Sequence, residues 1–97
     1  MLVIRVKIQV VPQNKATLIK TLQEDIAISR QFAGCVQFNL YQDMADDNNM
    51  LLYEEWESSN QFDVYKASDH FKKLSEKLFP LMAGDPDSAY YQAELVK

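Results

Sequence analysis

The chain predicts an α+β fold: one antiparallel sheet carrying its helices on a single face, in the order βαββαβ. Three observations predict it. Side chains alternate apolar and polar from Leu2 to Val11, an apolar stripe at helical spacing follows from Asn14 to about Arg30, and two more alternating runs flank a polar loop before a second helical region.

Leu2, Ile4, Val6, Ile8 and Val10 recur at period two among β-branched neighbours, which reads as a strand through Val11 that Pro12 stops. Leu18, Leu22 and Ile26, with Ile19 beside them, then form one face of a helix whose other face carries Lys20, Gln23 and Glu24. Gly34 resets the chain. Cys35 to Gln42 alternates Val36, Phe38 and Leu40 with Gln37, Asn39 and Tyr41, and Met50 to Glu57 forms its hairpin partner across the turn-rich loop Asp43 to Asn49. Ser58 and Gln61 have capping-box spacing and open a short helix to about Ala67. Ser68 or Asp69 caps a further helix with Phe71, Leu74, Leu78 and Met82 on one side, after a bend near Ser68. Gly84 and Pro86 end it, and Ala89 to Val96 reads as the last strand. This order is the ferredoxin-like split arrangement. Its strands carry apolar and aromatic groups on both faces, so a homodimer packing sheet against sheet would cover the face that the helices leave open.

At 97 residues a single domain, 1–97, is expected. The formal charge of −4, with Lys and Arg scattered among acids, leaves no basic stripe for a phosphate backbone, so nucleic acid is not an expected partner. Met1 to Val11 alternates instead of running apolar, unlike a signal peptide or a membrane span; a cytoplasmic protein without membrane attachment is expected. Cys35 is the only cysteine and lacks a His neighbour, which reads as a buried structural thiol; no Cys/His cluster has zinc spacing. Asp43, Asp46 and Asp47 lack the Gly and terminal Glu of a calcium loop and read as a solvated turn, so no metal is expected.

The chemistry concentrates in two segments, Leu51 to Trp56 and Ala67 to Leu74, the second holding the only histidine. His70 falls in the first turn of its helix, where exposed N–H groups favour a neutral ring able to accept a proton; a partly exposed helix-start residue is the alternative. Strand alternation puts Glu54 on one face with Leu52 and Trp56, and Leu51, Tyr53 and Glu55 on the other. A carboxylate in such company needs a partner, either His70 as the base it orients or an ion pair with Arg5 or Lys7. Trp56, Tyr53, Phe38, Phe62 and Tyr65 offer surface to stack on a planar substrate, or simply fill the core. Asn39, on the face of Tyr41, is a candidate hydrogen-bonding group at a pocket mouth or dimer seam.

Gly34-Cys35 leading into Phe38, Leu40, Tyr41 and Asp43, then Tyr53-Glu54-x-Trp56, then Ser68-x-His70-Phe71, resembles the antibiotic biosynthesis monooxygenase family of dimeric α+β barrel proteins. The likeness spans nearly the whole chain, and His70 to Gly84 looks most similar to the branch of quinol monooxygenases and autoinducer-2 degrading proteins. The resemblance implies a homodimer with one pocket per subunit between sheet and helices. It also implies a cofactor-free oxidation by oxygen of a small quinol-like aromatic and strengthens His70 as proton acceptor; Glu54 beside it, and Trp56, Tyr53, Phe38, Phe62, Tyr65 and Asn39 around the substrate, are the candidates that the residues themselves offer. Haem is not implied: the haem-degrading branch holds iron with a histidine further along the last helix, where this chain has Lys73-Leu74-Ser75. Two other functions fit the resemblance: an isomerase-like or degrading activity on a phosphorylated keto compound, with Lys72, Lys73 and Lys77 donating hydrogen bonds to its phosphate, and non-catalytic small-molecule binding by a dimer.

Overall fold

The computed structural model describes residues 1–97 and runs β1 (Leu2–Gln9), α1 (Lys15–Ser29), β2 (Cys35–Gln42), β3 (Asn49–Trp56), α2 (Ser59–Lys66), α3 (Asp69–Leu78) and β4 (Asp87–Gln92). The strands lie in the order β2-β3-β1-β4 with every neighbour antiparallel, the ferredoxin-like α+β architecture expected.

Strand alternation sorts the two faces of the sheet. Leu2, Ile4, Val6 and Ile8 of β1 stand opposite Trp56, Glu54, Leu52 and Met50 of β3, and all of these point to the helices. Leu18, Leu22 and Ile26 of α1, Phe62 and Tyr65 of α2, and Leu74 and Leu78 of α3 close on them to form one buried core. Each such side chain contributes about 1.5–3 kcal/mol relative to exposure, which holds the helices on that face. The other face carries Arg5, Lys7, Tyr53 and Glu55 and leaves Val36, Tyr41 and Tyr91 about half exposed.

Local chemistry sets the joints. Ser58 and Ser68 cap α2 and α3 by accepting from the backbone N–H of Gln61 and Phe71, and Ser68 also donates to the carbonyl of Tyr65 at 2.6 Å. Gly34 turns the chain into β2 with φ of +87°, and a side chain there would start 2.4 Å from Gln61 Cδ, so conformation and space both demand glycine.

Three expected boundaries shift. β1 ends at Gln9, not Val11, because Pro12 opens a single 3-10 turn and Val10 makes only an isolated bridge to Met82. The last helix stops at Leu78: Pro80 has no N–H to give to the carbonyl of Glu76, and Phe79 to Leu81 form a single 3-10 turn, so Met82 lies beyond the helix in extended conformation. The closing strand is Asp87–Gln92 in place of Ala89 to Val96: it pairs only with β1, whose register ends at Leu2 opposite Gln92, and Leu95 and Val96 are exposed.

Candidate active site

Between the helix face of the sheet and helices α2 and α3 lies a cavity of about 210 Å³. Ile4, Val6 and Ile8 of β1, Phe38 of β2 and Leu52 of β3 form its floor; Phe62, Tyr65, Phe71, Leu74 and Leu78 form its roof. Phe79 and Tyr90 line it and are 60% and 52% exposed, so its mouth lies between the turn after α3 and β4. An apolar cavity on the order of 150 Å³ is enough to admit a benzene ring, so this one suits a small aromatic molecule.

One charged side chain enters that lining. Glu54 is only 5% exposed, and its Oε1 accepts from the indole Nε1–H of Trp56 at 3.0 Å. Loss of hydration raises its pKa from the ordinary 4.5 to about 7, although the Trp56 bond acts in the opposite direction. No cation lines the cavity to offset this, and the titratable groups that sense Glu54 are the Cys35 thiol and the Tyr65 phenol. Both are pushed up, chiefly by burial.

Trp56 is fully buried behind this carboxylate, with ring centroids 4.9 Å from Tyr65 and 5.7 Å from Phe62. It holds the acid without forming part of the cavity wall. His70 also stands back from the wall. Its Nε2 lies 2.9 Å from Ser29 Oγ, and that oxygen lies 2.9 Å from the Tyr65 hydroxyl and donates to the carbonyl of Asp25 at 3.1 Å. Ser29 thus ties α1, α2 and α3 at one point, with the His70 ring 5.8 Å from Phe32.

Several expectations need correcting. Glu54 and His70 share no hydrogen bond: one is turned to Trp56 and the other to Ser29. Glu54 makes no ion pair with Arg5 or Lys7, because both occupy the opposite face of the sheet, where Arg5 lies 4.0 Å from Asp87. Tyr53 and Asn39 face that side too, Tyr53 donating to Glu55 and Asn39 accepting from Arg30, so neither lines the cavity. Phe38, Phe62 and Tyr65 do line it. Cys35 is half-buried, its thiol 3.7 Å from the Gln37 carbonyl oxygen. Lys72, Lys73 and Lys77 are exposed and absent from the lining, and Lys77 pairs with Asp25 at 3.0 Å, so no phosphate site forms there. Asp43 and Asp46 accept turn hydrogen bonds from the N–H groups of Ala45 and Asn48, while Asp47 pairs with Lys15 at 3.0 Å. A broader groove of about 560 Å³ crosses the far face of the sheet, open and lined by both charge signs, including Arg5, Lys7, Asp85 and Asp87.

Ser29 is the group that the sequence reading passed over. A signal was present: it continues the stripe of Leu22 and Ile26 at helical spacing, a hydroxyl where a core side chain belongs. No helix is long and apolar enough to cross a membrane.

Comparison with known proteins agrees with this architecture. A crystal structure of an antibiotic biosynthesis monooxygenase superposes with a TM-score of 0.89 at 21% identity, covering 98% of this chain and 100% of that one. A conserved protein from Methanosarcina mazei gives a TM-score of 0.89 at 26% identity over 97% and 95% of the two chains. An uncharacterized Synechocystis protein is 29% identical over 91 residues, which span 94% of this chain but only 62% of that relative. Residues 1–77 match the family model for antibiotic biosynthesis monooxygenases, and the chain belongs to that family.

Proposed function

We propose that the protein oxidises a small hydroxylated aromatic, a quinol or a close analogue, with molecular oxygen and no resident cofactor. The observation that supports this best is the apolar cavity with a single buried carboxylate in its wall. A hydroxyl placed against Glu54 gives up its proton to a group whose affinity, near 7, exceeds that of an ordinary carboxylate. The resulting phenolate is electron-rich enough to pass an electron to oxygen, and the apolar walls keep the radical pair together and away from water. For a hydroquinone the balance closes without another reductant: quinol plus O2 gives hydroxyquinone plus water, one oxygen atom entering the ring and the other leaving as water.

Glu54 is the proton acceptor in this reading and Trp56 its positioning partner. His70 acts at one remove, through Ser29 and Tyr65, by fixing the roof of the cavity. Pairing of two copies through the exposed sheet face belongs to the same proposal, supported by the half-exposed Val36, Tyr41 and Tyr91 there. The test is oxygen uptake by purified, metal-free protein with menadiol and 1,4-naphthohydroquinone, with hydroxyquinone identified by mass. Uptake no faster than autoxidation with both quinols, or peroxide and simple quinone as the products, refutes the oxidation.

A further inference from the structure

We propose that the Glu54 end of the cavity recognises a hydrogen-bond donor, so that the site selects aromatic alcohols and rejects the carbonyl and anionic compounds formed from them. The physiological meaning rests on the oxidation proposed above, but the selection itself needs no turnover.

The geometry leaves few choices for a ligand at that end. The indole of a fully buried Trp56 supplies the only protein hydrogen bond to the Glu54 carboxylate, on Oε1. Oε2 has no protein partner and is not among the buried atoms left unsatisfied, so it opens on the cavity that Glu54 lines. An ionised carboxylate only accepts. The donors elsewhere in the lining belong to other places: the Tyr65 hydroxyl is engaged with Ser29, Ser75 and Ser88 sit on α3 and β4, and the half-exposed Tyr90 stands at the mouth. A ligand must therefore bring its own hydrogen to Oε2. A carbonyl or ether oxygen would set lone pair against lone pair, and a carboxylate or phosphate would set charge against charge with no cation in the wall.

The product of the proposed reaction fails this requirement twice. A hydroxyquinone has carbonyls where the quinol had hydroxyls. Its remaining hydroxyl is a vinylogous acid, anionic at neutral pH. Once the proton taken from the substrate has left in the water formed, the ionised carboxylate disfavours the product.

Three probes of one ring system test this at about pH 8: 1-naphthol, 1-methoxynaphthalene and 1-naphthoate. Binding is followed through the indole N–H resonance of Trp56, the chain's only tryptophan. 1-Naphthol is expected to bind at least tenfold tighter than 1-methoxynaphthalene, since a hydrogen bond to a charged group is worth about that much, and 1-naphthoate is expected not to bind. In Glu54→Gln the amide carbonyl stays on Trp56 and the amide N–H turns to the cavity. The tenfold ratio should then collapse and 1,4-naphthoquinone should gain about tenfold. Equal binding of naphthol and its methyl ether by the native protein overturns the proposal, and that arm needs no variant to fold. Ranked binding without oxygen uptake sinks the oxidation and leaves this selection standing; uptake with unranked binding does the reverse.

Discussion

Glu54→Gln should make the protein more stable, and by an amount that depends on pH. In the folded state the carboxyl holds its proton up to about 7, against the ordinary 4.5 that applies once the chain unfolds. The folded value is the higher one. Burial of Glu54 is therefore least costly below pH 4.5, where both states are protonated, and stability is lost as pH rises through 7. Each factor of ten in proton affinity is worth about 1.4 kcal/mol, so ionising Glu54 inside the fold costs about 3 kcal/mol. Glutamine stays neutral, keeps the Trp56 hydrogen bond and escapes that penalty. Urea unfolding followed by Trp56 emission, at fixed protein concentration, gives the free-energy difference between variant and native protein at each pH. It should be flat below 4.5, climb in favour of the variant by about 1.4 kcal/mol per pH unit, and level off above 7. A difference that does not change from pH 4.5 to 8 would refute the argument, since the carboxylate would then have a hydrated or cation-paired site that this cavity lacks.

Gly34→Ala should destabilise the fold by about 1–3 kcal/mol, read as a fall in thermal midpoint, because the new Cβ meets Gln61 at 2.4 Å in a left-handed backbone. Ser68→Ala should cost about 1–2 kcal/mol in chemical denaturation, since it removes a cap on α3 and a bond to the end of α2. Ser29→Ala leaves the Tyr65 hydroxyl without its only partner, and should cost about 1–3 kcal/mol and change the His70 ring resonances in NMR spectra. Asn39→Ala and Tyr53→Phe should leave 1-naphthol affinity within twofold of the native value by the same NMR titration, because neither side chain reaches the cavity.

The element order was legible because period-two and helical patterns are local; the Ser58 cap could be read from spacing, whereas the cap of α3 was narrowed only to Ser68 or Asp69, of which Ser68 is the one. Glu54 on the cavity face with Leu52 and Trp56 followed from the same alternation. The expected pairing with Arg5 or Lys7 failed because β1 buries Ile4, Ile8 and their neighbours on the helix side and turns both cations to the other face. The partner of His70 was beyond reach: Ser29 lies 41 residues away, and the angle at which α1 meets α3 is set by packing, not by any short motif. The end of β4 was hidden for a similar reason, since Tyr90 to Val96 keeps strand-like composition after its partner strand has run out.

Ser29 has one proton and two lone pairs, and the three contacts from Asp25, Tyr65 and His70 use all of them. The relative tilt of three helices is thereby fastened by a single atom with no spare valence. Position 29 can tolerate little drift: alanine empties the knot, threonine crowds a site with no exposed surface, and cysteine brings a longer bond and a weaker donor.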